Sequence, residues 1–369
     1  MKIEVYRDHL IPALISVASV VERRQTLPIL SNLLVKTLEN SLVLTATDLE
    51  LQISCNVEGT IDVPGAITLP AKKLADICKA LPDNSVIKLE VADKRAIIRC
   101  GPSRFMLSTM PAEDYPGLEG DSVHQSFEID TELLCRMFEC TSFAMAHQDV
   151  RYYLNGLLVQ IHSGKLVLVA TDGHRLAKSE LLMPALDAWE QEKQLIFPAK
   201  TVSELKRMLG GKFGATTIFE IGDRSVVIRI GKNVLTTKLI DGRYPDYERV
   251  IPYSLKYTTT IDRETLRNAL TRTAVLSYEK QKGVRMTFAD GSLKLEVSNP
   301  EHEEAQEDIP IVFNGDDTTI GFNVSYWLDV LNAMTGNLVE VRFSDSEVSS
   351  ILVDPESDGE LYVVMPMRI

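Results

Sequence analysis

The chain has 369 residues, with 39 Lys and Arg against 52 Asp and Glu, for a formal net charge of −13. Two or three domains are expected at this length. The acidity taken alone argues against a nucleic-acid partner, since phosphates attract Lys and Arg. Much of that acid lies in short runs, Pro300–Asp308 and Asp354–Glu360, so a basic surface can exist elsewhere. No apolar run approaches a membrane span, and the charged start MKIEVYRDHL lacks a signal-type apolar core. Five scattered cysteines (Cys55, Cys78, Cys100, Cys135, Cys140) form no CxxC pair. A reduced, cytoplasmic chain with structural thiols is expected, without metal or cofactor.

In chain order, an amphipathic helix comes first, its apolar face read as Leu10, Ile11, Leu14, Ile15 and Ala18. Thr26–Leu51 then reads strand, tight turn, strand, Ala-Thr-Asp. A second helix, within Leu69–Leu81, precedes more strands and a Tyr115-Pro116 turn. The pattern then repeats. Asp130 stands as an N-cap before a helix with Leu133, Leu134, Met137, Phe138 and Thr141 on one face. Val150–Leu176 matches the first hairpin, and Asp48 and Asp172 lie 124 residues apart (172 − 48). Its Ser163-Gly164 turn predicts a two-residue hairpin loop. Phe197–Leu209 matches the second helix, and Tyr244-Pro245 matches the Tyr-Pro turn. A third copy begins at N-cap Asp262 and a helix with Leu266, Ala269, Leu270 and Thr273 inward. Its hairpin, Gly283–Glu307, has Ser-Asn-Pro in place of Ala-Thr-Asp. Gly321–Met334 is its second helix, and the chain ends LYVVMPMRI. Three α+β domains follow, at 1–122, 123–254 and 255–369, each with two helices on antiparallel sheet.

Asp48, Asp172 and His174 invite a metal-assisted hydrolase reading. A plain turn is the competing reading, because Asp and Gly end strands routinely and the first copy has no His. No Walker, GxSxG, HExxH or dinucleotide motif is present. Lys72, Lys73 and Lys79, then Lys200, Lys206 and Arg207, lie off the apolar stripes of matching helices, and Arg263, Arg267 and Arg272 decorate a third. Each set alone is a solvated helix face, whereas recurrence at matching positions suggests one shared surface for nucleic acid. Arg23-Arg24 and Arg151-Tyr152-Tyr153 add cations and planar rings. The Met-rich, Pro-containing tail suits either a docked last strand or an adaptable peptide groove.

HQDVRYYLNG, TDGHRL, DGRYPDY, GFNVSYWLDVLNA and YVVMPMR resemble the bacterial DNA polymerase III beta subunits, the DNA sliding clamps, in register over the whole chain. The resemblance implies a homodimeric head-to-tail ring around double-stranded DNA, with no catalytic residues. It implies a processivity factor loaded by an ATP-driven clamp loader. Arg24, Gln148, Tyr152 and Tyr153 would touch the duplex. Phe105 and Leu107 would face Val275 and Leu276 of a second copy. A shared groove would bind short peptides of the polymerase alpha subunit, the loader, repair polymerases, mismatch-repair proteins and ligase. One wall would be Leu154, Thr171, Gly173, His174, Arg175 and Leu176, followed by Pro245, Arg249 and Val250. Tyr326, Ser350, Val363, Met365, Pro366, Met367 and Arg368 would close it. Arg175 would stack on or hydrogen-bond the peptide.

Overall fold

The computed structural model describes residues 1–22, 27–92, 94–118, 120–187, 189, 192–211, 214–278 and 282–368. Six α-helices recur as pairs, one pair per repeat: α1 Arg7–Ala18, α2 Ala71–Ala80, α3 Thr131–Thr141, α4 Ala199–Gly210, α5 Arg263–Thr273 and α6 Val324–Ala333. All strand pairings between named strands are antiparallel among the described residues. None of the described helices is long and apolar enough to cross a membrane.

Contacts divide the chain into two compact units, and the cut passes through the middle repeat. The first unit is Met1–Cys135 with Lys200–Leu239. It holds a five-stranded sheet from Thr60–Val63 to Ser103–Ser108, and an eight-stranded sheet from Gln125–Asp130 to Ala66–Pro70. Within the latter, Asn233–Lys238 of the second repeat pairs with Leu51–Glu58 of the first, Thr237 facing Leu51. The second unit is Arg136–Ala199 with Ile240–Ile369. Its eight-stranded sheet joins Arg175–Leu182 to Glu360–Val364, Arg175 facing Val364, and a four-stranded sheet completes it. Each large sheet thus takes strands from two repeats. Pairing the sheets edge to edge removes edges that would otherwise offer unpaired N–H and C=O groups.

Local chemistry explains the elements. Ser163 and Gly164 both have positive φ, 48° and 71°, as a primed hairpin turn requires, and His162 faces Lys165 across it. Asp262 Oδ1 caps α5 from the Thr265 N–H at 2.8 Å, and Asp130 Oδ1 accepts from Glu132 and Leu133 N–H at 2.8 and 3.0 Å. The buried face of α1 is Leu10, Ala13, Leu14 and Val17. It is rotated from the expected one: Ile15 is exposed, as is Leu133 on α3. Neighbouring sheet, rather than the number of apolar side chains, decides which stripe is covered.

One device was invisible in the sequence. Arg7, at the start of α1, donates to the Cys78 and Lys79 carbonyls at 3.1 Å each, at the end of α2. Arg263, at the start of α5, donates to Leu331 and Gly336 carbonyls at 2.9 and 2.6 Å, at the end of α6. A guanidinium thus satisfies the orphan carbonyls and negative dipole end of the partner helix. Arg263 is thereby removed from the set of cations read as available to nucleic acid.

Candidate functional site

The Ala-Thr-Asp motif builds a self-satisfied turn. Thr171 Oγ1 donates to the Arg175 carbonyl at 2.6 Å and accepts from Gly173 N–H at 3.1 Å. Asp172 Oδ1 accepts from the His174 and Arg175 N–H groups at 2.9 and 3.0 Å. The Thr171 N–H donates to the Tyr244 hydroxyl at 3.1 Å, which explains why the Tyr-Pro turn repeats with the motif. Burial pushes that phenol well above its ordinary range, so it stays protonated. Asp172 also accepts from Arg175 Nε, and its carboxylate is spent on the turn. The structure therefore favours the turn over the hydrolase reading.

This turn edges an apolar floor. Leu154, Leu176 and Val363 lie in one buried cluster with Leu158, Val169, Tyr244 and Ile351. Ser350 is fully buried, its Oγ without a partner among the described residues. Above the floor, His174, Pro245, Arg249, Val250, Met365 and Arg368 are exposed, and Thr171, Gly173, Tyr326, Pro366 and Met367 are half-buried. The Met365 N–H donates to the His174 carbonyl at 2.9 Å, and the Met367 N–H to Gly321 at 2.8 Å. The tail is therefore tied by its backbone to the His174 turn and to Gly321, with Met365 and Arg368 exposed.

Arg175 makes several contacts within its own chain. Its guanidinium donates to the Phe143 carbonyl at 2.7 Å and to Asp329, and lies 4.6 Å from the Tyr326 ring centroid. Its side chain is only 10% exposed. It rivets the turn to α6 and to the Ser142–Ala144 segment, which leaves its hydrogen-bonding fork occupied. Behind it, Arg136 forms a two-bonded pair with Glu360 at 2.8 and 2.6 Å and donates to the Ala333 carbonyl at 2.6 Å. Sequence reading missed Phe143, Asp329, Arg136 and Glu360, which meet only through tertiary packing.

The cations fall into two groups. Lys72, Lys73 and Lys79 are exposed on α2. Lys206, on α4, is half-buried and engaged in an interaction of its own. Lys200, by contrast, donates to the Val20 carbonyl at 3.1 Å, to Glu22 at 2.9 Å and to Asp48. Burial depresses its ammonium, but the bonds to Asp48 and Glu22 outweigh this and the net shift is upward. Arg207 ties α4 to α1 through Ser16 and Ser19, and Arg267 and Arg272 pair with Glu264 and Glu307. Arg151 is held by Asp149 and the Asp172 carbonyl. Gln148 sits at φ 54°, and Tyr152 and Tyr153 meet edge to face at 5.7 Å. Arg24 and Arg23 lie outside the described residues.

Of the four proposed joint residues, Val275 is 78% exposed and so is not internal core. Leu276 and Phe105 are half-buried, whereas Leu107 is already buried within its own unit. Ser103–Ser108, which carries Phe105 and Leu107, is an edge strand.

Family models for the DNA polymerase III beta subunit match along the chain: the N-terminal domain at residues 1–119, the central domain at 128–246 and the C-terminal domain at 248–368. The chain is 44% identical to the beta sliding clamp of Pseudomonas putida over 370 aligned residues and 42% identical to that of Escherichia coli K12, each covering all of both chains. Among solved structures it is similar to a Pseudomonas aeruginosa sliding clamp bound to griselimycin, with TM-score 0.94, 44% identity and full coverage of both. With three matched domains and full-length relatives of this identity, the chain belongs to the DNA polymerase III beta subunit family, the beta sliding clamps.

Proposed function

We propose that two copies of this chain close a ring around duplex DNA and tether the replicative polymerase and repair proteins to it. The chain is a processivity factor, not an enzyme. Family membership over its whole length carries this reading. Domain limits at 122/123 and 254/255, and a cytoplasmic location, go with it.

Tethering by a closed ring asks little of each DNA contact, because the ring cannot leave sideways. Weak phosphate contacts permit sliding, whereas base readout would stop it. The exposed Lys72, Lys73 and Lys79 suit that role, and Lys206 is assigned to it with them. Gln148, Tyr152, Tyr153 and Arg24 are assigned to the duplex as well. Lys200 and Arg151 contribute less, since their charges are already matched by carboxylates. Val275 and Leu276 are assigned to the ring joint against Phe105 and Leu107 of a second copy. The groove on the Leu154–Leu176–Val363 floor takes a peptide with a Gln anchor and a Leu–Phe-type end, with Met365 adapting to the aromatic ring. Partners that share one groove must compete for it.

The test is retention on DNA after loading onto nicked circular duplex. The ring should stay on the circle and be lost when the circle is linearised. Leu276→Asp should give a folded monomer that is not retained. Equal retention on linear DNA with free ends would overturn the tether.

A further inference from the structure

We propose that Arg285 and Arg368 extend the docking groove into an anion-accepting pocket, which favours partner peptides carrying acidic side chains just before the Gln anchor. The inference rests on the groove reading above and names the partner chemistry of its outer end. A cavity of about 610 Å³ lies beside the tail, lined by Arg285, Thr319, Ser346, Ser349, Glu347 and Met365–Arg368. Met365 belongs to both the groove and this cavity, so the two adjoin at the tail. The Met367 N–H bond to Gly321 holds the tail beside the cavity.

The cavity lining carries an excess of positive charge. Arg136, Arg175, Arg207 and Arg272 each have a carboxylate partner. Arg285 and Arg368 are both exposed, and neither is ion-paired among the described residues. On one side Arg285 faces Glu296 across the sheet, but that carboxylate is held by Lys294 at 2.8 Å. On the other side it faces Gly321, which has no side chain and leaves room to lean over the cavity. Glu347 is the one carboxylate in the lining, against two guanidinium groups. Hydroxyls of Thr319, Ser346 and Ser349 add donors that a carboxylate can use.

Direction follows from the floor. The apolar end of a peptide belongs over Leu154, Leu176 and Val363, the buried part of the groove. The residues that precede its Gln then run along Met365–Arg368 toward Arg285. A rim charge of this kind tunes preference between partners more than it sets overall affinity.

The experiment uses the full-length dimer and three labelled docking peptides: neutral, with two Asp before the Gln, and with two Asp after the apolar end. At low salt, Asp before the Gln should tighten binding roughly two- to fivefold over neutral. That gain should vanish at 0.5 M salt and in Arg285→Gln, and reverse in Arg285→Glu. Asp after the apolar end should give no gain. Dimer mass and melting temperature should be unchanged in both variants, because Arg285 is exposed. Equal binding of all three peptides, or a gain that survives Arg285→Gln, overturns the proposal. Failure of the neutral peptide to bind at all would overturn the groove reading itself, a separate outcome.

Discussion

The chain builds the same turn twice and uses it differently. At Thr47–Leu51, Thr47 Oγ1 donates to the Leu51 carbonyl at 2.9 Å and accepts from Leu49 N–H at 3.0 Å. Asp48 Oδ1 accepts from Glu50 and Leu51 N–H, and the Thr47 N–H donates to the Tyr115 hydroxyl at 3.2 Å. Every one of these bonds has its counterpart at Thr171–Arg175. The Lys238 N–H even donates to the Glu50 carbonyl at 2.9 Å, as Met365 does to His174. The difference lies in the side chains on this shared frame. Where the second turn has Leu176 and Val363 facing each other, the first has Gln52 and Thr236. Gln52 is filled by the Leu118 backbone, at 2.9 and 3.4 Å, and Lys238 is paired with Glu50 at 3.2 Å. The first turn answers its own polar groups and offers no apolar floor. The second sets Leu176 and Val363 there, in a buried apolar cluster. The two turns differ in their side chains, not in their backbone.

The largest way to break the contrast is at the strand that carries the tail. Glu360 is buried and paired with Arg136, so Glu360→Ala should cost about 3–5 kcal/mol by denaturant unfolding, because it strands a guanidinium. At the corresponding strand of the first turn the neighbouring pair, Lys232–Glu58, is exposed, and Glu58→Ala should leave the unfolding midpoint unchanged. Next come the two tyrosines. Tyr244→Phe and Tyr115→Phe each remove an acceptor from a Thr N–H and should each cost about 1–2 kcal/mol. Only Tyr244→Phe should also weaken peptide binding, measured by fluorescence anisotropy.

A smaller effect tests the third position of the turn. Gly173 has φ 88°, and an added Cβ would sit 3.0 Å from both terminal nitrogens of Arg151. Gly173→Ala should cost about 1 kcal/mol and shift the Arg151 loop. Leu49 already holds φ 78° in the first copy, so Leu49→Gly should change stability by no more than about 1 kcal/mol and should not touch peptide binding. The smallest effect is a titration. Hydrogen bonds from the Arg151 side chain and N–H hold the Asp149 carboxyl down at about 2, below its usual 3.8. A depressed value means the loop closure is present above the ordinary carboxylate range and is lost as pH falls through about 2. The Asn155 side-chain amide, which donates to the Asp149 carbonyl at 2.9 Å, should report this by NMR. Its resonance should hold from pH 7 to about 4 and move below that. A midpoint at the ordinary Asp value would show that the Arg151 clasp does not form in solution.

The amino-acid sequence by itself determined the repeat, the helix starts at Asp130 and Asp262, the Ser163-Gly164 turn and the three-domain α+β organisation. These rest on local propensity and on periodicity, which neighbouring residues carry. Tertiary structure alone decided that each large sheet takes strands from two repeats, since register between distant strands leaves no local mark. It decided which cations stay exposed: Lys72 is exposed and Lys200 is tied to Asp48 and Glu22, although both lie off an apolar stripe. It also brought Arg175 to Asp329 and to the Phe143 carbonyl, partners that spacing along the chain does not show. A charge is free or spent according to what folding brings within about 4 Å of it, and that distance is set by packing rather than by spacing along the chain.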